Sequence, residues 1–180
     1  MAEGSELPVR VLIDHVNQMS QSDFVNQFGA VFEETPEIAE EAWLAKPFST
    51  RSELHKAMVA VVERLSFDEQ LALIRAHPEL GSRAKMADAS VQEQASSGLD
   101  QLSPETYERL QALNTAYQEK FEFPFVMAVK GHDKDSILAA LEARLNNERA
   151  DEIGRSLHEI TQIARLRLED LVQADDTNGG

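Results

Sequence analysis

The chain has no cysteine. Disulfide scaffolding, thiolate zinc sites and cysteine nucleophiles are excluded together, and a reducing compartment fits. Bases are scarce as well, 17 Lys and Arg against 32 Asp and Glu, for a formal charge of −15. Such a surface repels phosphate backbones and anionic headgroups, so neither nucleic acid nor a membrane is an expected partner. No apolar stretch approaches the roughly 20 residues of a spanning helix. The opening "MAEGSELPVR" lacks a basic region followed by an apolar core. The closing residues carry neither a peroxisomal tripeptide nor a lipidation box. The expectation is a soluble cytoplasmic protein. Also missing are HExxH, a phosphate-binding loop, a dinucleotide fingerprint and a nucleophile elbow. His15, His55, His132 and His158 have no metal-like spacing, so no metal or nucleotide cofactor is indicated.

What is present is helical patterning in a chain of 180 residues, 42% of them apolar, enough for one domain with a sizeable core. Capping boxes stand at Thr50 to Glu53 and at Ser66 to Glu69, and Ser103-Pro104 supplies an N-cap with proline in the first turn. Apolar positions follow at helical spacing: Leu54, Met58, Val61 and Val62; Leu71 and Ile74; Leu110, Leu113, Tyr117 and Phe121. No sustained alternating strand occurs. The pattern predicts helices near 8–18, 22–33, 37–46, 51–64, 67–76, 90–97, 104–121, 123–130, 135–146 and 149–173. The expected fold class is all-α, a single compact multi-helix domain of about eight to ten helices over 1–173, with a polar tail at 174–180. Trp43 and Met58 read as core.

Four features carry candidate chemistry. In "IRAHPELG" a histidine precedes a proline at the end of an apolar run. Proline forces His77 out of the helical region, which suits either a helix-end residue or an imidazole aimed for proton transfer near neutral pH. In "SVQEQ", Glu93 completes a capping box with Ser90. It is equally a carboxylate able to work with a histidine, with Gln94 as an amide donor and acceptor. Ile153, Leu157, Ile160, Ala164, Arg167 and Leu171 form one stripe at spacings of four and three. A guanidinium on that face needs an anion, either an internal acid or a ligand's carboxylate. "FEFPFVMAV" packs three phenylalanines around Pro124, reading as core side chains with backbone donors opened near Phe125. Between Pro78 and Ala89 lies the longest segment without a helical pattern.

Taken in order, "AWLAKPF", "AHPELGSRAKM", "SVQEQASSGLD", "LNTAYQEKFEFPFVMAVKG", "RLNNERADEI" and "IARLRLEDL" resemble the 2-oxo-4-hydroxy-4-carboxy-5-ureidoimidazoline (OHCU) decarboxylase family. The resemblance runs from about Phe24 to Leu171. It implies an all-helical homodimer that needs no metal or organic cofactor. The implied reaction converts a small molecule, the unstable product of urate oxidation and ring hydrolysis, into (S)-allantoin with loss of carbon dioxide. Carried over by motif, His77 matches the catalytic proton donor and Glu93 the acid that works with it. Pro78, the segment Ser90, Val91, Gln92, Glu93 and Gln94, and the segment Phe125, Val126, Met127, Ala128 and Val129 match substrate-contacting positions. Arg167 matches the arginine expected to bind the substrate's polar groups. Two residues depart from the family pattern: Glu122 stands where glycine is common, and Ser97 where alanine is usual before Gly98. If position 122 needs positive φ, Glu122 strains the turn that leads to Phe125. Activity is expected to survive both changes. The alternatives are a catalytically silent all-α interaction module and a lyase for a related ureido acid.

Overall fold

The computed structural model describes residues 9–81, 93–95 and 97–175. The all-α class is borne out: eight helices are named among the described residues, α1 Ile13–Gln18, α2 Gln21–Phe28, α3 Glu37–Trp43, α4 Arg51–Arg64, α5 Phe67–Arg75, α6 Pro104–Phe121, α7 Lys134–Arg144 and α8 Arg149–Leu171. Glu93–Ala95 form a further helical turn. The starts follow the sequence signals. Ser66 Oγ accepts from the Glu69 amide at 3.2 Å and Ser103 Oγ from the Thr106 amide at 3.2 Å. Thr50 Oγ1 accepts from the Glu53 amide, while the Glu53 carboxylate reaches the Ser49 amide at 2.6 Å. Each cap satisfies donors that the first helical turn leaves open.

Two compact units divide the chain, one formed by Met1–Arg64 with Ala164–Gly180, the other by Leu65–Ile163. In the first, α3 packs against α2 and α4, and Phe24, Phe28, Phe32, Ile38, Leu54 and Met58 are buried. Val11 pairs with the end of α8 through a bridge to Val172. Trp43 is half-buried rather than core: its indole N–H donates to the Met19 carbonyl at 3.0 Å, and the Lys46 ammonium sits over its ring. In the second unit α6 packs on α7, and Tyr117, Phe121, Phe123 and Phe125 form an aromatic cluster. Tyr117 lies 4.5 Å from Phe121 and edge-on to Phe125 at 5.3 Å between ring centroids.

The helix expected at 123–130 does not form. Glu122 caps α6 in the left-handed conformation, φ 65. Pro124 then offers no amide and holds Phe123 away from helical angles. A non-helical course also lets Phe121, Phe123 and Phe125 all face the cluster. The helices expected at 8–18 and 22–33 are shorter too. The first begins only after Leu12, whose ψ of 149 is extended. The second ends at Phe28 in favour of an irregular turn that includes Glu34 at φ 47. Of the helix expected at 90–97, Ser90, Val91, Gln92 and Ser96 lie outside the described residues, as do residues 82–89.

Candidate active site

His77 follows the last turn of α5. In a continuing helix the His77 amide would bond to the Leu73 carbonyl. Instead it bonds to Ile74 at 3.2 Å, and the imidazole Nδ1 takes the Leu73 carbonyl at 2.8 Å. A carbonyl only accepts, so Nδ1 carries hydrogen, and in the neutral ring Nε2 is the nitrogen without one. The ring is buried, 6% exposed. The helix-end reading of the break is realised: the side chain meets a helix-end carbonyl, and that bond fixes the tautomer and orientation of the ring.

The turn beginning at Pro78 is held from two sides. Asn114 Nδ2 donates to the Leu80 carbonyl at 2.9 Å. Gly81, at φ 72, donates its amide to Gln94 Oε1 at 2.9 Å. A Cβ at Gly81 would come within 2.6 Å of Leu110 Cδ2, and a positive φ is itself costly for other residues, so the position calls for glycine. Gln94 is buried and spends its carbonyl on this bond; Glu93, beside it, is half-buried. Ser97 Oγ donates its one hydrogen chiefly to the Val129 carbonyl at 2.8 Å, with the Glu93 carbonyl further off at 3.2 Å. Within this unit the His77 turn, the Glu93–Gln94 turn and the Phe125–Val129 segment are thus connected by hydrogen bonds.

The non-helical Phe125–Val129 segment takes its support from side chains. Arg144 Nη1 donates to the Val126 carbonyl at 2.8 Å, and its guanidinium lies 4.4 Å over the Phe125 ring. Glu159 faces the Ala128 amide at 3.5 Å. Among the described residues no acceptor meets the amides of Phe125, Val126, Met127 or Val129. Buried amides without partners are rare, and this run of donors is suited to carbonyl or carboxylate oxygens.

Sequence reasoning missed the residues beneath the segment. Arg144 pairs with Glu152 through Nη2 at 2.9 Å and Nε at 3.0 Å. Glu152 is fully buried, and it also accepts from the Tyr117 hydroxyl and from Asn147 at 2.9 Å. Burial alone would raise the Glu152 carboxyl, but bonds from Arg144, Tyr117 and Asn147 outweigh it and hold the group below the ordinary glutamate range. The Tyr117 hydroxyl is pushed well up, by burial first and then by its bond to Glu152. Glu152, Ser156 and Glu159 share one buried face of α8. Their spacing of four and three was legible, but polar residues do not register in an apolar pattern.

Arg167 belongs to the other unit and is buried, as the stripe predicted, while Arg165 is exposed. Its anion is an internal acid: Nη2 meets Glu33 Oε1 at 2.9 Å. Among the described residues no group of acids and histidines could hold a metal ion, and no helix is long and apolar enough to cross a membrane.

The sequence profile of OHCU decarboxylase matches residues 17–169. The chain is 44% identical over 167 residues to a 2-oxo-4-hydroxy-4-carboxy-5-ureidoimidazoline decarboxylase of Halalkalicoccus jeotgali, covering 93% of this chain and 95% of that one. It is 47% identical over 156 residues to the decarboxylase of the same name from Haloferax volcanii, covering 87% and 93%. A crystal structure of (S)-allantoin synthase superposes with a TM-score of 0.72 at 27% identity, covering 89% of this chain and 54%, about half, of that one. With the profile spanning most of its length and such relatives matched nearly end to end, the chain belongs to the OHCU decarboxylase family.

Proposed function

We propose that this protein is a carboxy-lyase that converts OHCU to (S)-allantoin in urate degradation, as a homodimer in the cytoplasm and without a cofactor. The observation that carries the reading is His77, a buried imidazole whose Nδ1 donates to the Leu73 carbonyl, a bond that fixes the tautomer and so assigns proton exchange to Nε2. The names of the relatives supply the substrate, and the allantoin synthase supplies the product and its hand.

The chemistry needs such a group. When the carboxylate leaves as carbon dioxide, its bonding pair passes into the ring, towards the imine beside it. The ring nitrogen and the carbon bearing the ureido group then each take a proton, while the neighbouring hydroxyl gives one up to become the ring carbonyl. The net change is exchange of carbon dioxide for one proton. An acid fixed on one face delivers that proton to one side and yields one enantiomer. In this reading His77 is the donor and Glu93 works with it. The amides of Phe125, Val126, Met127 and Val129, which meet no acceptor among the described residues, and the Gln94 side chain orient the substrate's carbonyl and ureido groups and stabilise the charge that develops. Pro78 sets the direction of the ring, and the family motif assigns Gln94 and Arg167 to the substrate's polar groups, together with Ser90, Val91 and Gln92, which lie outside the described residues.

The test generates OHCU in place from urate with urate oxidase and the following hydrolase. Its decay and the circular dichroism of the allantoin are then followed. Accelerated decay with (S)-allantoin is expected. Decay at the spontaneous rate, or racemic product, overturns the proposal in favour of a silent helical module.

A further inference from the structure

Glu33 has no place in the chemistry above, yet it is buried to 4% exposure, and Arg167, its ion-pair partner, to 6%. The two are brought together over 134 positions of chain. Arg167 Nη1 also lies 3.3 Å from the Val31 carbonyl and 3.4 Å from that of Ala30. The planar fork therefore rests against a carboxylate and the backbone just before it. That backbone is shaped for the contact. Glu34 takes φ 47, a left-handed conformation that glutamate adopts only at a cost, and Thr35 Oγ1 donates to the Glu33 carbonyl at 2.8 Å.

A guanidinium paired with a carboxylate carries no net charge, so it acts as an aimed donor rather than as a cation. The distinction matters for this reaction, because the substrate is a carboxylate and the product is neutral. A bare buried cation would bind the carboxylate most tightly before the reaction and lose that attraction as carbon dioxide departs. It would deepen the ground state and slow the step.

We propose that Glu33 is a positioning and charge-balancing residue of the decarboxylase: it aims Arg167 and cancels its charge, so that Arg167 orients the substrate without stabilising the departing carboxylate. The inference rests on the assignment of Arg167 to the substrate. It predicts a split that loss of packing would not produce. Glu33→Gln keeps an acceptor oxygen and removes the charge. KM for OHCU and kcat should both fall, by about ten-fold for charges some ångströms apart in a partly screened site. Inhibition by (S)-allantoin, which is neutral, should stay within about two-fold of wild type.

Three variants assayed together separate the outcomes. An unchanged KM in Arg167→Met sinks the role of Arg167, and the inference with it. A raised KM in Arg167→Met, with Glu33→Gln either unchanged or shifted equally towards OHCU and allantoin, keeps that role and overturns the one given to Glu33. Should Glu33→Gln fail to fold, Glu33→Asp keeps the charge on a shorter arm. It should lower kcat and leave the ratio of OHCU KM to allantoin inhibition constant as in wild type; a changed ratio overturns the inference.

Discussion

Among the described residues two arginines are buried against glutamates, and their surroundings set them apart. Arg144 and Glu152 stand eight positions apart, and around them gather Tyr117, Asn147, Ser156, the Val126 carbonyl and the Phe125 ring. Arg167 and Glu33 meet across 134 positions, beside the carbonyls of Ala30 and Val31. The first pair is the hub of a network that shapes a non-helical segment from below. The second is an arginine aimed by one acid and a turn. The same two residue types thus do two jobs, supporting a backbone in one unit and, in the proposed function, presenting a donor to substrate in the other.

Breaking the first pair should have the largest effect on stability. Glu152→Ala leaves the Arg144 charge buried without its counterion, and urea unfolding should show a loss of about 3–5 kcal/mol. A loss below about 1 kcal/mol would mean the pair behaves like a surface ion pair. The network also fixes how the protein meets acid. Because the Glu152 carboxyl is held below its ordinary 4.5, its contribution is present above that pH and is lost as pH falls through the folded value. Melting temperature between pH 6 and pH 3 should therefore fall more steeply for wild type than for Glu152→Gln. Parallel curves would remove Glu152 from the acid response.

Tyr117→Phe takes away one donor and keeps the ring packing, so the expected loss is smaller, about 1–2 kcal/mol in urea. The smallest change is a gain. Glu122 holds φ 65, a conformation costing about 1–2 kcal/mol outside glycine, which Glu122→Gly relieves at about 0.5–1 kcal/mol of extra chain entropy. A net gain of up to about 1.5 kcal/mol with unchanged turnover would show that the departure costs stability alone. A gain in kcat would show that the strained turn also misplaces Phe125.

The helices with both a cap and an apolar stripe, α4, α5 and α6, were legible nearly to the residue because local chemistry and burial agree there. The 123–130 segment was not, since Phe121 and Phe125 stand four apart, as on one helix face, while intervals of two through Phe123 serve a non-helical course as well; only the left-handed Glu122 and Pro124 decide it. His77 could be found because proline forces a local break, and Arg167 because a charge stood on an apolar stripe. Glu33, Arg144 and Glu152 could not. They are polar residues buried by tertiary pairing, and the acid that Arg167 requires could have come from any turn that folds back to it. Ser97, noted only as a departure from the family, proves to tie the Glu93 turn to Val129.

The central claim is that one buried imidazole delivers the proton that sets the hand of the product. Its most direct test is the circular dichroism time course of allantoin formed from OHCU by folded His77→Ala beside wild type. The account predicts decay at the spontaneous rate and no optical activity in the variant. Optically active allantoin formed faster than the spontaneous decay would contradict it.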